Sequence, residues 1–183
     1  RIARADGAGD KEIRQDMADQ KKIYALLGDP QGEGRIMEII MAQARRGLEQ
    51  LPADQRRAIT DPEAYVQTMA KTQLMTLQSP WFRYFLSYDP RPALEALTCP
   101  VLALFGGKAT QVVPAQNQPV MEMALRKAGN RDVTFKVFPD ATHLLQKAGT
   151  GSPSEYAKLE KAFVPGFLET VSSWISERTR VPR

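Results

Sequence analysis

Two apolar segments of strand length, separated by a helical segment, constrain the fold of this chain more than any other feature. The first is "PVLALF", Pro100 to Phe105, and the second is "DVTFKVFPD", which ends at Pro139. The residues between them, "AQNQPVMEMALRKAGN", have the pattern of a helix that Gly129 closes. A strand, a helix and a second strand in this order predict a parallel pair with a crossover helix, and therefore an α/β fold.

These two strands do not make a complete sheet. A parallel pair with both edges open leaves unpaired backbone groups and an exposed apolar surface. The run "PVLALF" is also apolar throughout, which is typical of a strand covered on both faces. We therefore expect further strands, supplied by another segment of the same protein or by a partner chain.

The chain changes character near Ser79. Before it, three segments have helical apolar spacing: "DKEIRQDMADQKKIYALLG", "EGRIMEIIMAQARRGLEQLP" and "DPEAYVQTMAKTQLMTLQ". The third begins with Asp61 as a predicted cap and Pro62 at the first helical position, a favoured pairing. After Ser79 come the two strands and a final amphipathic helix in "PGFLETVSSWISER". The sequence thus predicts an all-helical segment, residues 1–79, followed by an α/β segment, residues 80–183.

Composition narrows the functional class. The 183 residues carry a net charge of +4, and the basic residues are interleaved with acidic ones, which favours a solvated surface over a nucleic-acid-binding stripe. No apolar run approaches the roughly 20 residues that span a bilayer. The single Cys99 excludes an internal disulfide. No cluster of His, Cys and acidic residues has the spacing of metal ligands, so we predict no metal. The chain opens without an initiator Met or a signal peptide, so we expect a processed or partial chain, cytoplasmic rather than secreted.

Several quoted segments together resemble a known family. They are "SPWFRYFLSYDPRPALEALTCPVLALFGGKATQVVP", "VTFKVFPDATHLLQ", "GTGSPSEY" and "VSSWISE". This series resembles the carboxyl-terminal part of a bacterial α/β-hydrolase, and more narrowly the esterase-like serine hydrolases with a helical cap. The resemblance runs from about Trp81 to the last helix, and residues 1–79 resemble the cap more weakly. It implies the carboxyl-terminal part of an α/β-hydrolase sheet, with parallel strands and crossover helices, plus an all-helical cap.

The resemblance implies a role for two positions. In the family, the strand matching "PVLALF" leads through a glycine turn to an Asp that orients the catalytic histidine, and here that position is Ala109. The histidine follows the next strand, at His143 in "FPDATHLL", where it would act as the general base. The nucleophile belongs to a Gly-x-Ser-x-Gly turn on an earlier strand, which these residues lack. The resemblance implies no cofactor.

Two carboxylates are alternatives to the missing acid, and each has a simpler interpretation. Asp140 lies close before His143, but within a turn its side chain more plausibly caps the turn. Asp89, before Pro90, has the position of a helix cap. A lone histidine such as His143 is, without the surrounding motif, more often structural than catalytic.

Three other sequence patterns give weaker indications of a functional site. "GGKAT" fails as a phosphate-binding loop, because Leu102 stands where the motif needs its first glycine and Ala109 where it needs Ser or Thr. Ser152 follows no strand and precedes Pro153, so it indicates a loop rather than a nucleophile. An aromatic cluster, interpreted first as core packing and alternatively as part of a pocket lining, comprises Trp81, Phe82, Tyr84, Phe85 and Tyr88.

Two functions remain open from the sequence. The first is the carboxyl-terminal portion of a serine hydrolase that cleaves small apolar carboxylic esters through an acyl-enzyme. Its partner would be the missing amino-terminal part of the hydrolase core, on the same protein or a companion chain, and this chain alone would be inactive. The second is a hydrolase-like module without catalysis that binds an apolar ligand or a partner chain. Restoring Asp at Ala109 distinguishes them.

Overall fold

The structure, a computed structural model, describes residues 1–179 and is a mixed α/β fold. The α-helices are α1 (Ile2–Ala5), α2 (Asp10–Leu26), α3 (Glu33–Gln50), α4 (Ala53–Ala58), α5 (Pro62–Gln78), α6 (Pro80–Ser87), α7 (Arg91–Glu95), α8 (Pro114–Lys127) and α9 (Phe167–Thr179). The strands are β1 (Val101–Gly106) and β2 (Val133–Phe138), and a 3₁₀ turn spans Pro153–Glu155.

The chain divides into two compact units. The helical unit comprises Gly9–Tyr88, and the strand unit comprises Arg1–Ala8 together with residues 89–179. The sequence placed a boundary at residues 79 and 80, whereas the helical unit continues through α6. Ser79 Oγ accepts a hydrogen bond from the Phe82 amide at 3.2 Å and caps α6, and Phe82 packs against the core of the helical unit.

The helical unit has its own hydrophobic core. Helix α3 packs against α2 and α5. The predicted start of α5 is confirmed, since Asp61 Oδ1 accepts a hydrogen bond from the Ala64 amide at 2.9 Å and Pro62 is the first helical residue. Helical spacing places the apolar residues on facing sides, where they form a buried cluster. Its members are Ile23, Ile36, Ile40, Ala70, Leu74 and Leu77.

The strand unit contains the predicted parallel pair. Strands β1 and β2 pair in register from Val101 opposite Val133 to Gly106 opposite Phe138, and α8 connects them. Their carboxyl ends therefore lie side by side at one edge of the sheet. Beneath this edge, Phe138, Ala141 and Val164 form a second buried cluster.

The hydrogen bonds identify which groups of β1 face away from β2. The Val101 amide donates to the Asp132 carbonyl at 2.9 Å, and the Gly107 amide donates to the Phe138 carbonyl at 2.8 Å. Because alternate residues of a strand direct their backbone groups to opposite edges, the amides of Leu102 and Leu104 face away from β2. Within residues 1–179, the sheet contains these two strands only.

Candidate functional site

The loops after β1 and β2 are held together at the carboxyl edge of the sheet. The Lys108 amide donates a hydrogen bond to the Ala141 carbonyl at 2.9 Å. Glycine permits this approach, because a Cβ atom on Gly106 would lie 2.0 Å from the Thr142 carbonyl oxygen and one on Gly107 would lie 2.6 Å from the Pro139 carbonyl oxygen. The two positions singled out in the sequence, 109 and 143, therefore belong to adjoining loops.

Ala109 lies buried in the turn after β1. Its side chain is 4% exposed, and its amide donates a hydrogen bond to the Gly106 carbonyl at 3.1 Å. A methyl group can neither accept a hydrogen bond nor carry charge. The position that the resemblance gives to the triad acid is thus occupied by an inert side chain.

His143 lies at the tip of a tight turn and is exposed. Thr142, which is fully buried, anchors the turn, since its Oγ1 accepts a hydrogen bond from the Leu144 amide at 3.1 Å. Leu145 has a φ of 57°, in the left-handed region that non-glycine residues rarely adopt. The chain reverses sharply here, and His143 is left exposed to solvent.

The two carboxylates considered as substitutes for the acid are each paired with a cation. Asp140 Oδ1 lies 3.3 Å from Lys108 Nζ. Asp89 accepts hydrogen bonds from Arg91 through both oxygens, and these bonds lower the pKa of its carboxyl below the usual value. Asp140 is thereby paired with the turn after β1, and Asp89 with a residue of its own segment. Neither pairing supplies the histidine with an orienting acid.

A third loop, residues 148–155, is fastened to the turn after β1. Lys108 Nζ donates to the Ala148 carbonyl at 2.7 Å, and Thr110 Oγ1 donates to the Gly151 carbonyl at 3.0 Å. Gly151 has a φ of +78°, and a Cβ atom there would lie 1.9 Å from the Lys108 carbonyl oxygen. Only glycine fits this position without displacing the backbone.

Asp6 and two serines form a cluster that sequence reasoning missed. The Oγ atoms of Ser152 and Ser154 donate to Asp6 Oδ1 at 2.5 and 2.6 Å, and these bonds lower the pKa of the Asp6 carboxyl. Ser152 is fully buried and hydrogen-bonded to Asp6, so it anchors the amino-terminal segment and is not an accessible nucleophile. No local signal indicates this contact, because its partners lie at opposite ends of the sequence.

Tyr156 also escaped the sequence analysis. Its hydroxyl donates a hydrogen bond to Gln111 Oε1 at 2.6 Å. Burial raises the pKa of the Tyr156 hydroxyl, which therefore keeps the proton that it donates. This hydrogen bond ties the segment around residue 156 to the loop that follows β1.

The helical unit exposes aromatic side chains on α6. Trp81 and Phe85 stack with ring centroids 5.5 Å apart, and they are 68% and 60% exposed. Tyr84 and Tyr88 form a second ring pair at 5.4 Å. These rings are surface features of the helical unit, whereas Phe82 packs against its core.

Across residues 1–179, no three His, Cys, Asp or Glu side chains are grouped so that they could hold a metal ion. Within the same residues, none of the helices combines the length and apolar character needed to cross a bilayer.

Comparison with protein-family models, with curated proteins and with solved structures gave no match for this chain.

Proposed function

We propose that this chain is the carboxyl-terminal portion of a serine hydrolase that cleaves carboxylic esters through an acyl-enzyme. In this proposal, the strand unit belongs to an α/β-hydrolase sheet, and the helical unit is its cap. The observation that carries the proposal is the parallel pair β1 and β2, whose adjoining end loops hold Ala109 and His143. This is the chain order, acid position before histidine, that the triad of such enzymes requires.

In the proposed reaction, His143 is the general base. It takes the proton of a serine hydroxyl supplied by a segment outside these residues, while the serine oxygen attacks the ester carbonyl carbon. His143 then returns that proton to the departing alcohol, which leaves an acyl-serine. Water, deprotonated by the same imidazole, cleaves the acyl bond and releases the carboxylic acid. The exposure of His143 supports this assignment, because a base must be accessible to its serine.

The open edge of β1 supports the existence of the additional segment. The amides of Leu102 and Leu104 face away from β2, and β1 is apolar on both faces. A strand of this composition is typical of the interior of a parallel sheet. Strand β2 is different, because Lys136 is exposed and a charged residue is a common feature of edge strands. We therefore place the companion strand along β1, on the side away from β2.

Ala109 sets the expected level of activity. The acid of a Ser-His-Asp triad holds the histidine tautomer and stabilises the imidazolium, and its loss costs roughly 10⁴-fold in turnover. The protein with alanine at this position would therefore be a severely impaired esterase.

One observation favours a second candidate, a module that binds without catalysis. Ala109 is buried, and the two carboxylates considered as replacements are paired with Lys108 and Arg91. A binding module needs no acid at this position. The exposed rings of α6 would then offer an apolar surface for a ligand or partner chain.

Restoring the acid tests the first proposal against the second. A carboxyl-terminal affinity tag on the gene recovers the complete gene product, which is assayed with p-nitrophenyl butyrate. Ala109→Asp is expected to raise kcat/KM by about 10²- to 10⁴-fold, because a carboxylate would again orient the imidazole and stabilise its protonated form. The matched control is Ala109→Asn, which has the same shape without the charge and should restore far less.

A second substitution assigns the gain to the histidine. Adding His143→Ala to Ala109→Asp should return kcat/KM to the background rate. If Ala109→Asp brings no gain and His143→Ala alone changes nothing, the hydrolase proposal fails and the binding module is favoured.

A further inference from the structure

The loop that carries His143 is a short hairpin, residues 140–148, which we call the histidine hairpin. At its base, the Ala148 amide donates a hydrogen bond to the Asp140 carbonyl at 3.1 Å, and Ala141 and Lys147 form an antiparallel bridge. His143 lies in the tip. Since the base joins the hairpin to the rest of the strand unit, the placement of the tip depends on how the base is held.

Lys108 contacts both arms of the histidine hairpin from the turn after β1. Its Nζ donates a hydrogen bond to the Ala148 carbonyl at 2.7 Å, in one arm, and lies 3.3 Å from Asp140 Oδ1, in the other. Its backbone amide donates to the Ala141 carbonyl at 2.9 Å. One residue thus makes three contacts at the base, and this residue directly precedes Ala109.

The backbone of Lys108 is itself closely confined. On one side, the Ala109 amide closes the turn by donating to the Gly106 carbonyl at 3.1 Å. On the other side, the Lys108 carbonyl approaches Gly151 so closely that a Cβ atom there would lie 1.9 Å from the carbonyl oxygen. The ammonium therefore contacts the hairpin from a fixed support.

The two contacts of the ammonium differ in expected strength. Ala148 is 8% exposed, so its carbonyl oxygen would lose a partner that water replaces poorly if the ammonium were removed. The Asp140 side chain is 64% exposed, and ion pairs in contact with water contribute little. The hydrogen bond to the Ala148 carbonyl is therefore the stronger of the two contacts.

We propose that Lys108 is a positioning residue, whose ammonium holds the base of the histidine hairpin at the turn that carries position 109. It thereby fixes the separation between position 109 and His143. This inference rests on the proposed function insofar as it treats the imidazole as the base. In catalysis, a misplacement of about 1 Å can cost about 10²-fold in rate, so a contact that acts only through His143 still affects turnover.

The direct test is amide hydrogen exchange in the Lys108→Met variant, measured by NMR. Methionine keeps most of the apolar stem and removes the ammonium. Exchange at the amides of residues 108 and 148 should become about 10- to 100-fold faster, as for the loss of one hydrogen bond from a charged group. The ring protons of His143, the only histidine, should change in chemical shift. Amides of Ala103 and Phe105 in β1 should keep their exchange rates.

Two further variants sharpen the test. Asp140→Asn removes only the exposed ion pair, so exchange at the same two amides should rise by less than about fivefold. An effect as large as that of Lys108→Met would contradict the ranking of the two contacts. Lys136→Met is the matched control, because it removes a lysine of β2 whose Nζ donates to Thr170 Oγ1 at 2.6 Å. It should leave the amides of residues 108 and 148 unchanged.

Two outcomes would overturn the inference. One is unchanged exchange at both amides in Lys108→Met. The other is the same acceleration throughout β1 and β2, which would make the lysine a general stabiliser of the strand unit.

A kinetic measurement links the inference to catalysis. In the complete gene product with Ala109→Asp, Lys108→Met should lower kcat by about 10- to 100-fold while KM stays the same, because the base and not the substrate is displaced. A change in KM alone would contradict a positioning role. If no ester hydrolysis occurs in any variant, the proposed function fails, whereas the exchange measurement still decides whether Lys108 holds the histidine hairpin.

Discussion

A buried methyl group and an exposed imidazole occupy the two adjoining loops at the carboxyl edge of the sheet. Ala109 is 4% exposed, whereas His143 faces solvent. In the proposed hydrolase, the histidine keeps its position although its acid partner has been replaced. Around this pair, single polar side chains fasten the loops, and Asp6 is the most distant of them in sequence.

We expect the Asp6 cluster to make the free energy of unfolding depend on pH in the acidic range. Its hydrogen bonds from Ser152 and Ser154 lower the carboxyl pKa in the folded state, relative to about 3.9 in an unfolded chain. A depressed folded pKa gives stability that is present above the unfolded value and lost as pH falls through the folded value. Asp6→Ala should therefore lower the free energy of unfolding at pH 6, and the difference from the parent should shrink below about pH 4.

Denaturant unfolding between pH 2 and pH 6 checks this expectation. Asp54→Ala, which removes an exposed carboxylate from α4, is the control and should show no such convergence. A difference between Asp6→Ala and the parent that stays constant down to pH 2 would mean that the carboxylate charge plays no part.

At the scale of elements, the loop of residues 148–155 acts as a brace for the turn after β1. Gly151 is its closest point, because a side chain there would meet the Lys108 carbonyl. Two side chains of the turn, Lys108 and Thr110, donate hydrogen bonds to carbonyl groups of the loop. The position of residue 109 therefore depends on a loop that follows β2.

Glycine substitutions separate backbone conformation from steric contact in this brace. Gly151 and Gly129 have similar φ values, +78° and +71°, but a Cβ atom on Gly129 would meet nothing within 4 Å. Gly129→Ala should cost about 1–2 kcal/mol, the penalty for the left-handed conformation. Gly151→Ala should cost several kcal/mol in all, since the Lys108 carbonyl must also move.

Thermal or denaturant unfolding of the two variants measures the difference. Equal losses in Gly151→Ala and Gly129→Ala would show that the loop does not press against the turn.

Elements that depend on nearby residues could be predicted from the sequence, whereas contacts between distant residues could not. The cap and proline of α5, Asp61 and Pro62, and the apolar runs of β1 and β2 act within a few residues, so the sequence alone predicts them. The hydrogen bonds of the brace and the bond from Tyr156 to Gln111 depend on residues brought together only by folding. For the same reason, the sequence could offer Asp140 as a substitute acid but could not predict its pairing with Lys108.

On the scale of the whole molecule, the chain consists of two units with separate cores. The buried cluster of the helical unit centres on Ile23 and Ile40, and that of the strand unit centres on Phe138 and Ala141. The sequence predicted an all-helical part and an α/β part from their different periodicities. It could not predict that the first eight residues join the strand unit, because that assignment follows from the Asp6 contacts.

The central claim is that position 109 and His143 are two members of one triad. Long-range ¹H–¹⁵N NMR of the only imidazole in the Ala109→Asp variant tests it most directly. We expect the imidazole proton to be held on Nδ1, with a low-field, slowly exchanging resonance that the parent and Ala109→Asn lack, because a triad carboxylate fixes this tautomer. An imidazole spectrum that is the same in Ala109→Asp, Ala109→Asn and the parent would contradict the claim.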